Sequence, residues 1–332
     1  MHHIDRVRDE SIERVVVIFP GALGDFLLAL PALRLLRVRH QGARVTAVVG
    51  EGLRDLIGIA GVADLTESLD AAGTSGLFAG SGLPAWLAHR PTVYSWLGAA
   101  DDGVRARLDR AARHVRFFRI ERGDGAVHAA VAYLHAVGGP AAMRAVGAGA
   151  RLEAPSSEVA ERLWRDLDGP VLAMHPGAGG RAKRWDVAGF VQVAHWWRST
   201  GGAVVEIAGP AEAGEPPVLN APEVRDWPLP DLAAVLSRTQ LYLGNDSGVS
   251  HLAGAVGARG VVVFGPTNAR RWRPIGGALT ALRAGAGAPD GIPLSALPAA
   301  RVIAACRRRF ALTRGDPDTS VGGADGPERS FK

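Results

Sequence analysis

One cysteine, Cys306, stands among 332 residues, which excludes an intramolecular disulfide framework and any metal site built from several thiolates. Lysine is nearly as scarce. Of 38 basic side chains only Lys183 and Lys332 are lysine, so the formal charge of +5 rests on arginine. No apolar run reaches the ~18 residues of a membrane span, and the opening MHHIDRVRDE has no signal-peptide core, so the reading is a cytoplasmic protein. Also missing after the first apolar run are the GxGxxG of a dinucleotide site and the GxxxxGK[ST] of a P-loop. Their absence argues against an oxidoreductase built on a Rossmann half and against a nucleoside triphosphatase.

What is present is core-forming: 47% of the chain is hydrophobic, enough for two domains. Short valine-rich runs recur at 14–19, 43–49, 170–175, 202–208, 240–244 and 260–265. They alternate poorly, as strands buried on both faces do. Stretches of helical length separate them at 25–40, 186–200 and 248–257, which predicts parallel sheets wrapped by helices, an α/β fold. The glycine-rich segment 141–155 marks a domain boundary, followed by a helix capped by Ser156 or Ser157. The domains expected are 1–154 and 155–312, with a disordered tail over 313–332. Residues 70–104 read as loops and short helices. The arginine-rich run 105–120 reads as a solvated helix face leading into a strand rather than a nucleic-acid surface.

Four strand-to-turn junctions carry chemistry. In VVVIFPGALGDFLLALPAL (15–33), Gly21 and Gly24 allow a tight turn, and Asp25 opens a helix whose free N–H groups favour an anion. Asp25 is either a first-turn helix acid, worth about 0.5–2 kcal/mol as a cap, or a carboxylate placed to take a proton from a substrate hydroxyl. In MHPGAGGRAKRW (174–185) the amides of Gly177, Ala178 and Gly179 read as an anion nest, with Lys183 and Arg184 beside it. An internal lysine in a chain that otherwise uses arginine suggests a compact point charge. In NDSGVSHLAG (245–254), Asp246 or Ser247 caps a helix that leaves the amides of Ser247, Gly248 and Val249 for an anionic group, with His251 in its first turn. In IAGPAEAGE (207–215), Glu212 or Glu215 is either a ribose ligand or a surface acid.

In order and spacing, PGALGD…LPAL, HPGAG…KRW, AGPAE and NDSGVSHLAGAVG…VVVFGPT resemble glycosyltransferase family 9, the ADP-heptose:lipopolysaccharide heptosyltransferases. The likeness is strong over 14–40 and 170–275 and weak over 50–150, where HAAVAYLHAVG (128–138) is similar to the family's helix near the end of the first domain. It implies a GT-B fold, two Rossmann-like domains with parallel sheets facing across a cleft. It implies inverting transfer from an ADP-heptose type nucleotide-sugar donor to a glycolipid or glycan acceptor, with no metal, no cofactor and no nucleic acid. Lipopolysaccharide biosynthesis at the inner face of the cytoplasmic membrane is the implied setting. On that resemblance Asp25 falls on the general base and Lys183 on a donor-phosphate ligand. Asp246, Ser247, Gly248 and His251 fall on the diphosphate block and Glu212 on an acid near the nucleoside; the nest glycines Gly177 and Gly179 are read as phosphate-binding and Gly21 and Gly24 as the acceptor-side loop. A degenerate nucleotide-sugar-binding protein is the competing expectation.

Overall fold

The structure, a computed structural model, describes residues 12–80, 82–119, 125–284 and 294–314; most of the expected tail lies outside them. Among the described residues, eleven strands form two parallel sheets. The first contains β1 (Arg14–Phe19), β2 (Arg44–Val49), β3 (Leu65–Ser68), β4 (Thr92–Ser95) and β5 (His114–Phe117), in the order β3-β2-β1-β4-β5. The second contains β6 (Val171–His175), β7 (Ala203–Ala208), β8 (Glu223–Arg225), β9 (Leu241–Asn245), β10 (Arg259–Phe264) and β11 (Ala278–Arg283), in the order β8-β7-β6-β9-β10-β11. Each sheet starts at its centre, winds one way, and then reverses.

The six expected strands form within a residue of their predicted limits, because each is an apolar run with both faces covered. In β1, Val15, Val17 and Phe19 enter a core shared with helix Leu23–Arg39, while Val16 and Ile18 enter a second core with Leu77, Val93 and Leu108. Burying each such side chain is worth about 1.5–3 kcal/mol. Helix Leu23–Arg39 is buried continuously from Phe26 to Leu33, so it is an interior helix rather than an amphipathic surface one. Its one flank lies on its own sheet and another meets helix Gly248–Ala255 of the second half, and the same core runs on through Ala173, Leu252 and Val262. Ser157 caps helix Glu158–Arg165, accepting from the Ala160 N–H at 3.1 Å. The run 105–120 resolves into helix Asp102–Ala111 and β5. The loop-rich reading of 70–104 omits β4, which pairs with β1 at the centre of the first sheet. Only four residues long and carrying Thr92 and Ser95, it lacks the valine run that marks its neighbours.

Candidate functional site

In an open parallel sheet a ligand crevice forms at the carboxyl ends of the two strands where the winding reverses, since the connections there leave to opposite faces. Those strands are β1 and β4 in the first sheet and β6 and β9 in the second. Three of the four junctions begin at them: PGALGD follows β1, HPGAG follows β6 and NDSG follows β9.

Asp25 is the third residue of helix Leu23–Arg39, half-buried; the N-cap Ala22 supplies no side-chain cap. Tyr133 Oη, on helix Ala129–Ala136, donates to Asp25 Oδ1 at 3.5 Å. The Tyr133 ring is 5% exposed and packs among Phe19 and Trp96, so the phenol is delivered to Asp25 by a fixed aromatic cluster. Gly21 is required by close approach, since a Cβ there would stand 2.8 Å from Asp25 Cβ. Gly24 brings the two halves together: its Cβ would stand 3.0 Å from His251 Cδ2, and a Cβ on Gly248 would stand 3.0 Å from Leu23 Cβ. The two glycine-bearing helix starts therefore abut.

On the second half, Asn245 at the end of β9 staples the loop that follows β6. Its Oδ1 accepts from the Trp185 N–H at 3.0 Å, and its Nδ2 donates to Pro176 O at 2.7 Å. Lys183 Nζ donates to Asp246 Oδ2 at 2.8 Å, with the lysine side chain 39% exposed and the carboxylate 5%. Asp246 thus anchors the lysine while leaving part of its side chain exposed. Ser247 is the N-cap of helix Gly248–Ala255, accepting from the Ser250 N–H at 3.3 Å, and Gly248 and Val249 begin that helix half-exposed. His251 is buried, 6% exposed, and burial followed by the charges of His128 and Lys183 holds its pKa down at about 4 against the opposing pull of Asp246. The imidazole is neutral at pH 7.

The glycines after β6 are small for a reason other than a nest. None of Gly177, Gly179 and Gly180 takes a positive φ, so the alternating-hand turn expected of a nest does not form. Gly177 is instead the floor under Glu212: a Cβ there would overlap the carboxylate carbon and lie 2.6 Å from Oε2. Gly179 is exposed with open space around it. Glu212 is 7% exposed and heavily bonded, accepting from the Gly209 N–H at 3.0 Å, Arg184 Nη2 at 3.1 Å and His175 Nε2 at 3.5 Å. Desolvation pushes its pKa up, but the hydrogen bonds from His175 and Gly209 and the charges of His175 and Arg184 outweigh it, leaving the group below its ordinary value. The Glu215 carboxylate receives Arg184 Nη1 at 2.8 Å on each oxygen. Sequence reading missed His175, Asn245 and Tyr133. The first two stand at the ends of β6 and β9, where the strand order alone points to a ligand crevice. No local pattern marks Tyr133, 108 residues from its partner.

A second joint between the halves lies beside the Asp25–Tyr133 pair. His128 caps helix Ala129–Ala136 by accepting from the Ala130 N–H at 3.2 Å on Nδ1, so its Nε2 donates across to Arg273 O at 3.1 Å. Arg271 Nη1 returns a bond to Val127 O at 3.0 Å. Burial holds the His128 pKa at about 4. A cavity of about 730 Å³ opens here, walled by Val127, Val131, Tyr133 and Trp272 with Arg119 and Arg271. Its size suits a sugar-sized or larger ligand.

Residues 144–290 match the sequence profile of glycosyltransferase family 9 (heptosyltransferase). Among curated proteins none matches the chain significantly. Solved structures share its architecture. A glycosyl transferase family 9 protein from Veillonella parvula DSM 2008 is 19% identical with a TM-score of 0.72, covering 90% of this chain and 98% of its own. The E. coli ADP-heptose lps heptosyltransferase II is 16% identical with a TM-score of 0.64, covering 91% and 100%. E. coli heptosyltransferase WaaC with ADP is 18% identical with a TM-score of 0.60, covering 89% and 99%. These likenesses establish the fold as that of GT-B glycosyltransferases, two parallel α/β sheets each wound about its own switch point. The profile match covers residues 144–290, less than half of the chain, and over that stretch, which carries Lys183, Glu212 and the Ser247 helix, the chain is similar to glycosyltransferase family 9.

Proposed function

We propose that the protein moves a heptose-like sugar, with inversion, from an ADP-sugar donor to a lipopolysaccharide core or another surface glycan. The observation that carries this reading is the abutment of the two helix starts, Leu23 and Gly24 against Gly248 and His251. In this reading the carboxylate of residues 1–154 and the helix terminus of 155–312, brought close by that abutment, face one cleft. An inverting transferase needs that division. A base removes the acceptor hydroxyl proton on one side; the oxygen attacks the anomeric carbon, and the bond from that carbon to the diphosphate oxygen breaks on the other. Asp25 is the base in this reading, oriented by Tyr133 and held by the interior helix.

The departing diphosphate gains negative charge. Lys183, the amides of Gly248 and Val249, and the positive end of helix Gly248–Ala255 meet that charge, and a preorganised field of this kind needs no reorganisation as the bond breaks. His251, neutral at pH 7, supports the same terminus without adding charge. The relatives described as heptosyltransferases, one of them solved with ADP, support an ADP-type donor. A thermal-shift screen against nucleotide-sugars tests the reading: a donor at 100 times its dissociation constant stabilises by about 2.7 kcal/mol. No shift with any ADP-sugar, alongside a shift with a different nucleotide class, overturns the donor.

A further inference from the structure

We propose that His175 is a positioning residue that locks the 209–212 turn to the start of helix Gly248–Ala255, so that the two ends of a nucleoside diphosphate meet one preassembled unit. The proposal rests on the nucleotide-sugar reading above. Its foundation is the strand order: β6 lies between β7 and β9, and the two segments in question leave β7 and β9 at the same carboxyl edge. They have no common strand partner except β6. His175 is the last residue of β6, is 3% exposed, and reaches both ways, with Nδ1 at 3.0 Å from Ser247 Oγ and Nε2 at 3.5 Å from Glu212 Oε2.

Hydrogen counting fixes the direction of the Glu212 bond. Glu212 is ionised and only accepts, so Nε2 carries the proton and donates to it. Nδ1 is hydrogen-bonded to Ser247 Oγ at 3.0 Å. Ser247 Oγ also accepts from the Ser250 N–H. The Ser247 hydroxyl is engaged by both His175 and the Ser250 N–H, and the main-chain N–H groups of Gly248 and Val249 are the donors that meet the diphosphate. Both ring nitrogens of His175 are likewise occupied, so it acts through its two partners and touches no reacting atom.

The test is calorimetric titration of the full chain with ADP, combined with transfer kinetics. His175→Phe keeps the ring volume and removes both bonds; the ADP dissociation constant is expected to rise at least tenfold with KM for the donor, while kcat falls less than threefold. A merely structural histidine lowers the melting temperature without that split. A cycle adds a sharper readout. Glu212→Gln and Ser247→Ala are expected to combine non-additively by at least threefold in ADP affinity when His175 is present, and to multiply independently in His175→Phe. If His175→Phe fails to fold, His175→Asn, whose amide reaches toward Ser247, and His175→Gln, whose amide reaches toward Glu212, replace it. Each is expected to bind ADP less tightly than the unsubstituted protein. Unchanged ADP affinity in folded variants, or independent losses in the parent cycle, overturns the role of His175 alone. Absence of ADP binding by the unsubstituted protein overturns the nucleotide reading and this proposal with it.

Discussion

Replacing Gly177 by alanine, with Gly179→Ala as its partner experiment, separates two reasons for a glycine-rich loop. A methyl on residue 177 would overlap the Glu212 carboxylate, whereas one on residue 179 meets nothing within 4 Å. The carboxylate cannot step aside freely, because the Gly209 N–H, Arg184 and His175 hold it in a 7% exposed position. Overpacking a site of this kind costs about 1–3 kcal/mol, and a strained or lost bond to a charged group adds roughly 1.5–3 kcal/mol. Since the Arg184 bond survives a small displacement, we expect a net loss of about 2–4 kcal/mol for Gly177→Ala. Gly179 has no positive φ, so alanine there restricts the unfolded chain and changes stability by no more than about +1 kcal/mol. Urea unfolding followed by tryptophan fluorescence measures both. Equal midpoints for the two variants refute the account of Gly177 as the floor beneath Glu212. If Gly179→Ala instead abolishes ADP binding while leaving the midpoint alone, the loop does approach a phosphate closely at that residue.

Asp25→Asn keeps the shape and an acceptor for Tyr133 but cannot take a proton; we expect transfer to fall by about 10²–10⁴ with ADP affinity unchanged, and activity equal to the parent sinks the base assignment. Tyr133→Phe retains the ring packing with Phe19 and Trp96 and removes the donor to Asp25, so the acid limb of the kcat profile is expected to move to higher pH; an unmoved limb refutes its link to the base. Lys183→Met leaves the 5% exposed Asp246 carboxylate without its ammonium partner. Because the lysine is 39% exposed, we expect about 1–2 kcal/mol of stability lost, together with a tenfold or greater weakening of ADP in titration. His128 and His251 are both held at about 4 from 6.5, so the unfolded chain binds more protons than the folded one between those values. Their stabilising contribution is complete above pH 6.5 and is lost as pH falls toward 4, about 2 kcal/mol each by pH 5. Urea midpoints at pH 7 and pH 5 that fall equally in the parent and in His128→Asn refute the share given to His128.

Legibility followed periodicity. The valine runs of β1, β2, β6, β7, β9 and β10 are visible because strands covered on both faces have no polar positions, and the turns after β1, β6 and β9 are visible because tight approach demands glycine. β4 was invisible at four residues with two hydroxyls, although it supplies one wall of the first switch point. Side-chain roles within the turns are legible only when local: Ser247 as a cap follows from the residues after it. The partners of Glu212 are not. They come from Gly209 three residues before it, Arg184 in another loop and His175 at the end of another strand, and the carboxylate is buried rather than a surface acid.

On the proposed reading, the junction bears on how one chain would make a cleft with two dissimilar walls. The first half presents Asp25 from an interior helix, where position is set by apolar packing from Phe26 to Leu33 and by a ring-borne phenol. In the second, Lys183 and Arg184 stand on loops, which packing alone holds poorly. Polar staples do that work there: Asn245 on the 176–185 loop, Asp246 on Lys183, Glu212 on the 209–212 turn, with His175 and Ser247 joining the last to the helix terminus. Such a network is rigid only while every member is satisfied, since one missing partner strands a buried charge or dipole. Sensitivity to conservative substitution should therefore be greater along the staples of the second wall than among the apolar residues of the first. Asn245→Ala against Leu30→Ala puts this to measurement. Leu30 is fully buried, and its truncation costs about 2–5 kcal/mol of stability but is expected to leave ADP affinity within twofold. Asn245→Ala frees Pro176 O and the Trp185 N–H and is expected to weaken ADP at least tenfold even where its stability loss is smaller. The opposite ranking in ADP affinity overturns the argument.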